Sequence, residues 1–233
     1  MNGEEEMTAY DPVADIGEST YNRWMSAVTI GNCWAEPFGS SPFRLRFELG
    51  GETDGVKAPV PRFLQAFGRA RTVVDDTFLP SECVLAVVGC WPQPTLDLFA
   101  PAADGFGALG QAGFTATPVG EWKGPHPRYG MPDDDEEQKN ATWKAYDITE
   151  QVAARDVIIW CAVAYEMAVT PKAPVVSFMV DLQRGILVHV YDDRGMDVIA
   201  LKRDPLAEIY RTRNEWLLDH DRGRMIEAFG GPL

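Results

Sequence analysis

The ten residues Tyr191-Asp192-Asp193-Arg194-Gly195-Met196-Asp197-Val198-Ile199-Ala200 constrain the fold more than any other stretch of the chain. An apolar run from Ile186 to Tyr191 enters an Asp193-Arg194-Gly195 turn, and a second, Met196 to Leu201, leaves it. So short a connection permits only an antiparallel return, and the pattern predicts a tight β-hairpin. Gly195 is expected to adopt positive φ and form a bulge, where a side chain is disfavoured. Val175 to Val180 reads as a third strand, joined to the hairpin through the turn at 181–185. The C-terminal third is therefore a three-strand meander.

Elsewhere the hydrophobic period identifies both strands and helices. Phe43 to Leu49 alternates, with Phe43, Leu45, Phe47 and Leu49 on one side and Arg44, Arg46 and Glu48 on the other. That is the signature of a half-buried strand, here ended by Gly50-Gly51. Pro61 suits the first turn of a helix reaching Phe78, with Phe63, Phe67, Ala70, Val74 and Phe78 as its core stripe. Cys83 to Val88 is short and continuously apolar, as in a strand buried on both faces. Trp143 to Tyr146 reads as a strand, and Asp147 with Glu150 as the capping arrangement of a helix beginning near Thr149. Val157 to Tyr165 has strand-like β-branching, but the span to Met167 favours a helix. Asp204 and Pro205 open a helix carrying Leu206, Ile209, Tyr210, Arg213 and Leu217, with Trp216 beside the stripe. Asp221 caps a last helix with Met225, Ile226 and Phe229. Ser19 caps a further helix from Thr20 towards Ile30.

These elements predict an α+β fold: a mixed, mainly antiparallel sheet packed by helices, with the C-terminal β-meander followed by two helices. Residues 1–15 read as a loose acidic arm and 16–230 as a single domain. Gly105-Phe106-Gly107 is read as loop. Residues 120–141, rich in Gly and Pro and holding the run Asp133 to Glu137, read as a mobile surface insertion.

Composition limits the partners. The 233 residues are 45% hydrophobic, enough for a core without staples. Thirty-five acids against 21 bases give a net charge of -14. Such a field repels nucleic acid and anionic membranes and attracts a basic protein. Cys33, Cys83, Cys90 and Cys161 lack metal-type spacing, and none of the three histidines stands in a zinc motif. The acidic N-terminus has no apolar leader, and the longest apolar run falls short of the ~20 residues that span a bilayer. A cytoplasmic location is expected, with no metal and no cofactor; the oligomeric state stays open.

Three segments carry a resemblance: Leu45-Arg46-Phe47-Glu48-Leu49-Gly50, the hairpin 191–200, and Asn214-Glu215-Trp216-Leu217-Leu218-Asp219-His220-Asp221-Arg222. Together they resemble the bacterial family named domain of unknown function 3885. The resemblance implies a compact bacterial α+β domain and supplies no established catalytic residue or cofactor.

Two functional classes follow. Asp192, Asp193 and Asp197 with Arg194, and with His189 and Tyr191 close by, have the chemistry of a metal-assisted or acid–base hydrolase or transferase. Yet aspartate and glycine are also what a tight turn demands, and Arg194 can neutralise the surplus carboxylates. Asp219-His220-Asp221 reads as a helix cap. No nucleophile elbow or phosphate loop is present. Arg46, Glu48, Tyr191 and Trp216 are the candidate binding residues, and Arg46 is expected to pair with one of the hairpin acids if its face is covered. The first-ranked expectation is a non-enzymatic protein-binding role, as an inhibitor or immunity-type partner of a basic protein. The enzyme is the alternative.

Overall fold

A computed structural model describes residues 41–52, 55, 57–90, 104–124, 141–181 and 183–230. The acidic arm, the helix expected at 20–30, Cys33, and residues 125–140 of the expected insertion lie outside the described residues. Seven strands form one sheet: β1 (Arg44–Glu48), β2 (Leu85–Cys90), β3 (Pro118–Gly124), β4 (Ala141–Asp147), β5 (Val176–Asp181), β6 (Ile186–Val190) and β7 (Gly195–Ala200). Their order is β1-β7-β6-β5-β2-β4-β3. Every pairing is antiparallel. Five helices accompany the described sheet: α1 (Pro59–Phe78), α2 (Gly105–Gln111), α3 (Val152–Ala164), α4 (Asp204–Thr212) and α5 (Arg222–Phe229). The fold is α+β, with the meander β5-β6-β7 followed by α4 and α5. Among the described residues no helix is long and apolar enough to cross a membrane.

One sheet face carries the main core. Leu45, Phe47, Ala86, Val88, Met179, Val188 and Val198 pack with Phe63, Ala70 and Val74 of α1, Ile158 and Ile159 of α3, and Leu206 and Ile209 of α4. Burying such side chains supplies the main drive to fold. The apolar run at 157–164 is helical because it is long and has one face on the sheet and another on α1, where Trp160 meets Phe63 at 4.4 Å.

The opposite face is buried in part: Arg46 and Glu48 of β1 stay partly exposed, as a half-buried strand requires, whereas Arg44 does not. Arg44 is only 5% exposed, and Trp143, Phe178, Leu187 and Ile199 are buried beside it on the same face. Strand β1 is sealed along its outer edge as well. Leu218 N donates to Arg46 O (2.8 Å), and Arg46 N donates to Met225 Sδ (3.4 Å). An otherwise open edge is thus covered by the C-terminal segment.

Several local expectations shift. Gly195 does not have positive φ; in the meander that conformation belongs to Gly185 (φ 63°). The connection is Asp192-Asp193-Arg194, closed by Tyr191 N donating to Gly195 O (3.3 Å), so Gly195 is already in strand β7. Helix α1 starts at Pro59, two residues before Pro61. Helix α3 starts at Val152 rather than near Thr149, because the Asp147 carboxylate is taken up by Thr149 N (3.0 Å) and Oγ1 (2.7 Å). Asp204 lies inside the first turn of α4 without a side-chain cap bond, and Asp221 likewise makes none to α5. Gly105-Phe106-Gly107 is helical, with Asp104 accepting from Phe106 N (3.1 Å). Residues 118–124 form edge strand β3, so the stretch expected to be an insertion begins as part of the sheet.

Candidate functional site

The hairpin and the strand beside it place the candidate residues. Arg46 of β1 lies opposite Asp197 of β7, which lies opposite His189 of β6. This row puts a cation, an acid and an imidazole on one sheet face. The Asp197 carboxylate accepts from Arg44 Nη2 at 2.5 Å and from Arg46 Nε at 3.0 Å. Arg46 Nη1 also contacts Asp221 Oδ2 at 2.9 Å, as an ion pair without hydrogen-bond alignment. Burial works against the Arg46 charge, but the Asp197 bond and charge outweigh it and its pKa is raised. His189 Nδ1 lies 2.9 Å from Ser177 O, and its ring lies tilted against those of Phe178 (4.6 Å) and Tyr191 (5.9 Å). Burial, then the Asp197 charge, pushes the Tyr191 hydroxyl well above its ordinary value.

Asp192 and Asp193 turn away from this row and from each other. Asp192 accepts from Arg194 N (2.7 Å) and Arg194 Nε (2.9 Å), the short-range bonding that lets aspartate make a turn. Beyond it the exposed Arg194 guanidinium reaches Glu166 at 3.3 Å. Asp193 pairs with Arg62 of α1, which also donates to Gly51 O (3.0 Å). That arginine fastens helix α1 to both the hairpin and the turn after β1.

The candidate binding residues likewise separate. Glu48 contributes its carbonyl to Arg69 Nη1 (3.1 Å). The guanidiniums of Arg69 (5.5 Å) and Arg213 (5.3 Å) both lie over the Trp216 ring, with Arg213 bonded to Asp76 at 2.7 Å. Tyr191 and Arg46 do come together around Asp197. Arg44, Arg62 and Arg224 are the residues that sequence reasoning passed over. Alternation had already put Arg44 beside Arg46, whereas nothing in the local sequence links Arg62 or Arg224 to the hairpin.

An acid–base catalyst needs a carboxylate with a lone pair directed at substrate. Here each of the three carboxylates accepts hydrogen bonds from an arginine, an arrangement that fixes its orientation. Among the described residues no group of three or more His, Cys, Asp or Glu is placed to hold a metal ion.

No curated protein and no solved structure matches the chain. Residues 28–221 match the family described as Domain of unknown function (DUF3885). The match spans β1, the hairpin and the tail as far as Asp221, where the sequence resemblance lay. The chain belongs to the DUF3885 family.

Proposed function

We propose that this protein is a non-catalytic binding partner of a basic protein, in the manner of an inhibitor or immunity protein. The observation that carries the reading is where its charge goes. In the hairpin, Asp192, Asp193 and Asp197 are all engaged by arginines. The net acidity comes mainly from elsewhere in the sequence: residues 1–40 hold seven acids and one base, and residues 125–140 hold five acids and two bases. Acid clusters of this kind steer a cationic partner and raise its association rate at low salt. The same field works against a polyanion such as nucleic acid. The hydrolase or transferase reading has less support, because its proposed acids accept from guanidiniums rather than facing a common point.

Affinity capture from a lysate of the source organism tests the proposal. At low salt the bait is expected to retain a protein of basic isoelectric point, released as ionic strength rises. Changing Asp133 to Glu137 to the matching amides should weaken retention. Retention of no basic protein, or of one insensitive to both salt and the amide variant, would overturn it.

A further inference from the structure

The outer edge of β1 gathers more cation than its own acids neutralise. Arg44 and Arg46 are two residues apart on one strand and share a face. Arg224 of α5 is close enough that both arginines disfavour its charge. Among the described residues the acids in contact with them are Asp197, bonded to Arg44 and Arg46, and Asp221, which contacts Arg46 at 2.9 Å and Arg224 at only 4.0 Å. Three guanidiniums thus face two carboxylates, leaving one positive charge in a chain of net charge -14.

Two observations mark where the balance fails. Among the described residues Arg44 Nε has no hydrogen-bond acceptor, and it is buried, Arg44 as a residue being only 5% exposed. A buried donor left without an acceptor is costly, so native structures seldom keep one. Among the described residues Arg224 makes only the long contact with Asp221, and its pKa is lowered by burial first and by the Arg44 charge next. Its side chain is 37% exposed and that of Arg46 27%, against 6% for Arg44, so the cluster meets solvent through Arg224 and Arg46. One ligand chemistry answers both: an anion whose oxygens accept from Arg44 and Arg224 together. Guanidiniums arriving from a strand and from a helix suit a tetrahedral anion, which presents oxygens in several directions.

We propose that Arg44, Arg46 and Arg224 form a binding site for a phosphate group, with Arg224 as its solvent-side arm. The site is independent of the basic-partner reading, since it lies on the cationic edge of β1. The test is phosphorus NMR line broadening together with thermal melts of the full chain, in low-millimolar inorganic phosphate against chloride at equal ionic strength. Ribose 5-phosphate and acetate form parallel arms. Phosphate should broaden and raise the melting temperature of the parent. Arg224→Gln should weaken binding at least tenfold while melting no lower than the parent in chloride, because like-charge crowding is relieved. Arg224→Lys, which keeps the charge but loses the fork, should fall between the two. Tighter binding of ribose 5-phosphate than of phosphate would assign the group to a phosphorylated metabolite, and the reverse to the free ion; either supports the site. Equal behaviour in phosphate and chloride, a stronger response to acetate, or full binding by both Arg224 variants would overturn it.

Discussion

A Cβ at residue 195 would overlap the Tyr191 hydroxyl and lie 2.8 Å from Phe47 O. Glycine is required there because two neighbours leave no room, while its φ is one that any residue can adopt. Gly195→Ala is expected to cost more than the ~1 kcal/mol of an ordinary glycine replacement, since the Phe47 carbonyl cannot move without disturbing β1. Denaturant titration of that variant, with and without Tyr191→Phe, should show only partial rescue; full recovery would mean that the carbonyl contact is harmless. The sequence marked a tight return here but misplaced it by one residue and gave Gly195 the wrong φ, and it could not reveal this crowding, part of which arises from a strand some 150 residues away. The arginines follow the same logic. Arg62→Met strands the buried Asp193 carboxylate and should cost about 3 kcal/mol, and the added change Asp193→Asn should return part of it. Arg194→Ala should cost less than ~1 kcal/mol, because its side chain is 60% exposed and Asp192 keeps its bond to the 194 amide. A double-mutant cycle in the first case and a single titration in the second check both values.

Strand β1 shows which kind of element is legible in sequence. Its alternation predicted the two faces and the pairing of Arg46 with a hairpin acid, because period-2 patterning is a local property. The sealing of its edge by residues 217, 218 and 225 was not legible, since it depends on where distant segments are brought by packing. Strand β3 was missed for a different reason. Its Pro118, Gly120 and Gly124 are turn residues by propensity, and an edge strand with a bulge tolerates them. The seal on β1 can be tested with one donor. Leu218 has φ -63° and the preceding Leu217 has ψ 135°, both compatible with a following or resident proline. Leu218→Pro therefore removes the bond to Arg46 O with little backbone strain. The expected loss is about 1–2 kcal/mol in chemical denaturation, accompanied by self-association in light scattering as the edge opens. A variant that stays monomeric and fully stable would show that the seal resides in side-chain packing alone.

Across the whole molecule, buried phenols set an alkaline limit on stability. Tyr146 packs edge-on to Phe114 at 4.9 Å, and burial, then the Glu121 charge, pushes its pKa up to about 12. A raised folded pKa means that the native state holds its proton after the unfolded chain has released it near pH ~10. The stabilisation is complete below that pH and is lost as pH rises through about 12. The drop attributable to Tyr146 is about 2–3 kcal/mol, and Tyr146→Phe should remove it from denaturation curves recorded between those limits. An unchanged alkaline profile in that variant would assign the loss to other groups, with the half-buried Tyr191 next in line. The sheet order has a consequence for biosynthesis. Strand β1 pairs with β7 across about 150 residues, while β5 and β6 each pair with the next strand in the chain. At translation rates of roughly 5–20 residues per second, β1 leaves the ribosome many seconds before its partner exists. Through that interval Phe43, Leu45 and Phe47 have no β7 to pair with, so the nascent chain carries an apolar segment without its sheet partner until the last third has been made.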